Sequence, residues 1–234
     1  MYFQHSKQLW QDFPGLVPGV LFARGITPQA SVDGAVAELS EQAHERLAGA
    51  GGQESGLPQI QAWRRAFTSM GLKPTQYRCA AESLLRRFRK EGALPRIHPL
   101  IDLCNAASLA FAVPVGVFDL SRITGDLRVG YARGEEVYET FSGAEESPEP
   151  GEVIFSDTAQ RAHARRWTNR QSGYSAVRDS TAEVLIVAEA LHESAHDDVA
   201  RLVAELGGAL EAHWGAGTLS ASTVLSEAEP RFGG

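Results

Sequence analysis

The stretch Leu94 to Leu120, LPRIHPLIDLCNAASLAFAVPVGVFDL, decides how this chain divides. Pro99 stands where a first helical residue belongs, and the apolar run behind it predicts a helix to about Phe111. Asp102 and Asn105 lie three apart, so they share one helix face and project together from apolar surroundings. Pro114 closes the helical texture, and Val115-Gly-Val-Phe118 opens a strand. Upstream of this junction the sequence reads mainly as helices; downstream it reads as short strands.

Toward the N-terminus, Leu16 to Phe22 predicts a first strand, and Val32, Val36, Leu39, Ala43 and Leu47 recur at helical spacing. Gly49 to Gly56 is a flexible loop. Ile60, Trp63 and Phe67 mark a further helix. In Cys79 to Glu91, Leu84, Leu85 and Phe88 form one face, with Arg86, Arg87, Arg89 and Lys90 opposite and Gly92 as the C-cap. Toward the C-terminus, Leu127 to Val129, Val137 to Phe141, Glu152 to Ser156 and Glu183 to Ala188 read as strands, separated by turns at Gly125-Asp126, Arg133-Gly134 and Pro150-Gly151. Ala195 to Trp214 is an amphipathic helix, and the small polar tail after Gly215 reads as loose. The expected fold is α+β, with helices packed on a closed or strongly curved mixed β-barrel. It forms one compact domain over residues 1–234: an N-terminal strand and helix extension (1–56), a core (57–190), a C-terminal helix (191–214) and the tail (215–234).

The chain has 234 residues, a formal net charge of −7 and 43% hydrophobic residues, so a strongly basic nucleic-acid coat is excluded while a local basic patch is not. Cys79 and Cys104 give neither a disulfide framework nor zinc spacing and fit a cytoplasmic protein. The first fifteen residues lack a basic-then-apolar leader, and no apolar run is long enough to cross a membrane. Nucleophile-elbow, phosphate-loop and zinc-protease motifs are absent. His192 and His196 stand four apart without a third ligand and read as solvated surface, so no metal and no cofactor are expected.

Two constellations can carry chemistry. Asp102 and Asn105 either brace backbone or floor a polar pocket. Asn105 has both donor and acceptor groups; Cys104 beside it has no visible base and reads as a pocket wall. The second is Arg161 to Ser172, RAHARRWTNRQS. It is either a solvated loop with Trp167 pinned into the core or a loop that recognises anions through guanidinium forks. The Arg86 to Lys90 run supplies a second positive patch.

Taken in order, RIHPLIDLCN (Arg96 to Asn105), VPVGVFD (Val113 to Asp119), ITGDLR (Ile123 to Arg128), ARGE (Ala132 to Glu135) and Ser180-Thr181 before the last strand resemble one module of phenylalanyl-tRNA synthetase. It is the tRNA-binding and editing module of the β subunit, its B-three/B-four domains, and the resemblance covers roughly Leu57 to Ala190. It implies helices on a nearly closed barrel and hydrolysis of the ester of tRNA carrying a wrong amino acid, with no aminoacylating activity. On this resemblance Asn105 holds the aminoacyl group, Arg170 and Gln171 steady its carbonyl or the terminal phosphate, and Asp102, Cys104, Gly116, Asp119, Trp167 and Asn169 line the pocket. Arg86, Arg87, Arg165 and Arg166 would meet RNA.

Three departures qualify this. Cys104 stands where the family has threonine. Gly116 stands where it has a histidine that reads the tyrosine hydroxyl. Thr168 to Gln171 replaces its glycine-glycine-glutamate loop. The expected function is a freestanding tRNA-binding and editing-type protein, an aminoacyl-tRNA deacylase if it is an enzyme. The alternatives are a non-catalytic RNA-binding module, or a binder of a free amino acid or related small molecule.

Overall fold

The computed structural model describes all 234 residues. In chain order the elements are β1 (Tyr2–His5), α1 (Lys7–Asp12), β2 (Val17–Arg24), α2 (Asp33–Gly49), α3 (Pro58–Ser69), α4 (Ala80–Glu91), α5 (Pro99–Phe111), β3 (Val115–Asp119), β4 (Leu127–Tyr131), β5 (Val137–Glu139), β6 (Glu145–Glu146), β7 (Val153–Ser156), β8 (Arg161–Arg165), β9 (Arg170–Gln171), β10 (Glu183–Ala190), α6 (Ala195–Trp214), β11 (Leu219–Val224) and β12 (Arg231–Gly233).

The strands form two sheets. The larger runs β12-β1-β4-β7-β8-β5-β6 with β9 hung on β8; the smaller runs β11-β2-β10-β3. Neither path returns to its first strand, so the expected barrel is not formed. β12 and the two-residue β6 end the larger sheet, while β11 and β3 end the smaller one. The sheets face each other instead of joining. Phe118 of β3 stacks on Phe155 of β7 with centroids 5.3 Å apart, and Phe22 of β2 meets Phe232 of β12 at 6.0 Å.

The strand sequences explain the division. On the larger sheet, Phe3, Leu127, Val129, Val153 and Phe155 enter the core between the sheets, while Gln4, Arg128 and Ser156 alternate outward. On the smaller sheet, β2 and β10 carry near-continuous apolar runs, broken inside β10 only by Glu189, because both their faces are covered. Their second face, with Leu21, Ala23, Val184 and Ile186, packs against α2, α5 and α6. Gly19 permits the close approach of α6: a Cβ there would lie 2.5 Å from Val203 Cγ2 and 2.7 Å from Val199 Cγ1. α3 and α4 add Ile60, Trp63, Phe67, Leu85 and Phe88 to the core between the sheets. The tail read as loose supplies the edge strands β11 and β12, paired to β2 and β1. Arg161 to Arg165, read as loop, is a strand between β7 and β5.

Candidate functional site

The junction that opened the sequence reading builds one wall of a cavity. α5 ends at Ala112, a left-handed residue (φ 55°) whose N–H bonds back to Leu109 O. Pro114 then starts the edge strand β3, placing Val115 and Gly116 at the wall. A Cβ on Gly116 would meet the Phe118 ring at 3.2 Å, so the glycine keeps space open that any side chain would contest.

The opposite wall comes from the turn between β8 and β9. Arg166 (φ 46°) and Trp167 (φ 58°) are consecutive left-handed residues, a strained arrangement that persists only where surroundings enforce it. Here they do. Trp167 N donates to Val153 O at 2.7 Å and Arg166 N to Glu152 Oε1 at 2.9 Å. The fully buried Trp167 ring meets Phe13 and Trp63 edge to face at 4.8 and 4.9 Å. The next residues are tied to the start of α4: Ala80 N donates to Thr168 O at 2.8 Å and Asn169 Nδ2 to Arg78 O at 2.7 Å.

Between these walls lies a small cavity of about 70 Å3, lined by aromatic and aliphatic side chains together with Thr168, Gln171 and Glu189. Glu189, on β10, is 2% exposed. Its Oε1 accepts from Trp167 Nε1 at 2.9 Å and lies 2.7 Å from His5 Nε2. Its Oε2 takes no hydrogen bond from the protein. The Thr168 hydroxyl is also buried without a partner. Glu189 Oε2 and the Thr168 hydroxyl are thus polar atoms of the cavity-lining residues that no protein group satisfies.

The residues singled out from the sequence separate into two places. Gly116, Trp167, Asn169, Arg170 and Gln171 line this cavity. Gln171 Nε2 donates to Val117 O at 2.5 Å, bracing the β3 edge, and Arg170 pairs with Glu146 at 3.2 Å. Asp102 and Asn105 line a different cavity, of about 200 Å3, between α2, α4 and α5. Asn105 and Arg170 therefore line separate cavities: the face of α5 that carries Asn105 looks toward α2 and α4, not toward the β8–β9 turn. Asp102 accepts from Ile97 N at 2.8 Å and pairs with Arg96 at 3.1 Å, fastening the segment before its own helix. Cys104 is buried among apolar side chains, and burial pushes its thiol up to about 12; it is no nucleophile at neutral pH. Asp119 takes the Thr181 hydroxyl at 2.6 Å and the Ser121 N–H at 2.9 Å, joining β3 to the segment before β10.

The arginines also separate. Arg165, expected on an RNA surface, is buried. It grips Glu152 at 2.9 Å and Glu146 at 2.8 Å, because the inward side of β8 faces those carboxylates. Arg86 and Arg87 lie 3.9 and 2.8 Å from Glu54 and Glu91. Arg166 stacks over the Tyr77 ring at 4.8 Å. His192, read as solvated surface, is buried with Nε2 2.8 Å from Asp198. Glu189 and His5 were not singled out from the sequence, and Thr168 was named only as the start of the Thr168 to Gln171 segment. For Glu189 a signal existed, a carboxylate interrupting the apolar run VLIVAEA.

A family model described as the B3/4 domain matches residues 62–204, more than half of the chain. The phenylalanine-tRNA ligase beta subunit of Shewanella oneidensis is 32% identical over 101 residues, covering 43% of this chain and 12% of that protein. The corresponding subunit of Cereibacter sphaeroides is 36% identical over 77 residues, covering 33% of this chain and 9% of that protein. The chain thus spans about a tenth of the length of these relatives. An N-terminal fragment of the phenylalanyl-tRNA synthetase beta subunit from Pyrococcus horikoshii aligns with a TM-score of 0.37 and 16% identity, over 47% of this chain and 40% of that one.

Proposed function

The chain belongs to the B3/4 domain family, and from that premise we propose that it binds the aminoacylated 3′ end of a tRNA and hydrolyses the aminoacyl ester in the Gly116–Trp167 cavity. The observation that carries this reading is the buried Glu189 carboxylate, with one oxygen held by the protein and the other left free, lining an apolar cavity.

Ester hydrolysis requires an attacking water, a group to take its proton, and room for the acyl group. Glu189 Oε2 supplies the acceptor. As the water oxygen adds to the ester carbonyl, one water proton passes to Oε2. Collapse of the tetrahedral centre breaks the bond to the ribose oxygen, and the proton returns to that leaving oxygen. General base catalysis of this kind typically contributes about 10²–10⁴-fold. The Thr168 hydroxyl, buried beside the cavity without a protein partner, would have to turn toward the acyl group to donate to the developing oxyanion. Val115, Phe118 and Phe155 give the amino-acid side chain an apolar seat, and Gly116 leaves that seat without the polar group that would read a tyrosine hydroxyl. Arg170 and Arg166, beside the same turn, suit the terminal phosphates.

The test is a panel of aminoacyl-tRNAs incubated with the wild type, Glu189→Gln and Asn105→Ala. Faster decay of at least one ester with the wild type and Asn105→Ala, and loss with Glu189→Gln, is the expected pattern. Equal decay with and without protein across the panel overturns the hydrolytic reading. Salt-sensitive tRNA binding without decay would then favour a non-catalytic tRNA-binding module.

A further inference from the structure

The carboxylate at the centre of this site is held from outside the family's span. The match begins at residue 62, yet the closest partner of Glu189 is His5, on β1. This strand runs parallel to β4 with His5 opposite Val129, and Ser6 N donates to Val129 O at 2.8 Å. The imidazole is walled in by Phe3, edge-on at 5.2 Å, and by Trp10 at 5.4 Å. His5 is 3% exposed, its Nε2 is spent on Glu189 and its Nδ1 is buried without a partner.

Such a histidine is a poor choice for packing alone. It loses the hydration of two nitrogens and recovers one hydrogen bond, where a phenylalanine would lose nothing polar. What it returns is control of a carboxylate. A glutamate side chain has three rotatable bonds, and a single donor would leave its oxygens free to exchange. His5 and Trp167 both reach Oε1, one from strand β1 and the other from the β8–β9 turn. Together they fix which oxygen is occupied and which is free.

We propose that His5 is the positioning residue of the site: with the Trp167 indole it clamps Glu189 Oε1 and so leaves Oε2 for the attacking water. The N-terminal strand is then part of the functional unit. The kinetic consequence rests on the hydrolytic reading above; the clamp itself does not.

The experiment compares the wild type with His5→Phe and His5→Gln. Glutamine places an amide N–H near the position of Nε2, whereas phenylalanine fills the space without a donor. Three quantities are measured: the single-turnover deacylation rate, the affinity for an amide-linked aminoacyl-adenosine that cannot be hydrolysed, and the NMR resonance of the Trp167 indole N–H without ligand. In His5→Phe the rate is expected to fall roughly 10- to 100-fold, the range typical of residues that orient a reacting group, with affinity changed less than about threefold, and the indole resonance shifts. His5→Gln is expected to recover most of the rate at a wild-type melting temperature. A His5→Phe rate equal to wild type overturns the positioning role. An unchanged indole resonance in a folded His5→Phe overturns the clamp, even if the wild type hydrolyses nothing and the hydrolytic reading has failed.

Discussion

At Glu189 and at Glu152 the same residue type serves two ends, and the partners decide which. Glu152 is enclosed by donors: Arg165 Nε and Nη2, each at 2.9 Å, and the Arg166 N–H. Burial alone would raise its carboxyl, but the hydrogen bond and charge of Arg165 outweigh that and hold it below the usual carboxylate range. A depressed folded value contributes stability above the ordinary carboxylate titration range, and that stability is lost as pH falls through it. Melting curves between pH 7 and 3 should therefore show wild type losing its advantage over Glu152→Gln as the solution is acidified. Removing Arg165 leaves a buried carboxylate unpaired, and Arg165→Ala should cost about 3 kcal/mol in denaturant unfolding. Glu189 lacks such enclosure, which is why its free oxygen is read as functional. Gly116, Trp167, Arg170 and Gln171, which motif order singled out in the sequence, line one cavity. Asn105 was marked by the same order, but a helix face cannot be assigned to one of two cavities from spacing alone. On this account Asp102→Ala should destabilise by about 1 to 2 kcal/mol, through the lost Ile97 and Arg96 contacts, and leave deacylation unchanged.

At the scale of elements, the helices were the most legible part. Their apolar stripes repeat over several turns, and their ends carry caps such as Gly92 (φ 77°) after α4. The strands were less so. β10 and β2 show as apolar runs because both faces are buried. β8, RAHAR, hides because its ends are arginines and only pairing with β7 and β5 makes it a strand. β11, LSASTV, is small and polar, an edge strand whose partner β2 lies nearly two hundred residues earlier. The packing of α6 on β2 offers a direct check of the layered arrangement. Gly19→Ala places a methyl against Val199 and Val203, and overpacking of this kind should cost about 2 kcal/mol in equilibrium unfolding.

Over the whole molecule, the expected barrel resolved into two facing sheets with helices on the outer side of the smaller one. Strand texture and turn positions do not say which strands pair, and here the two chain ends supply edge strands that local sequence could not place. The two-sheet arrangement matters for function because the cavity forms where the sheets meet: Phe155 and Ala164 come from one, Gly116, Val187 and Glu189 from the other. On the proposed function Arg166, which follows β8 and stacks over the Tyr77 ring, would meet a tRNA phosphate. Titrating tRNA at several salt concentrations should give a shallower log–log slope for Arg166→Gln, by about one unit if it meets one phosphate.

The central claim is that the aminoacyl group enters this cavity and not the one lined by Asn105. It is tested most directly by a crystal structure with the amide-linked aminoacyl-adenosine. The acyl group is expected between Gly116 and Trp167, with the amide carbon within one water of Glu189 Oε2. An analogue bound beside Asp102 and Asn105, or bound with Glu189 untouched, would contradict it.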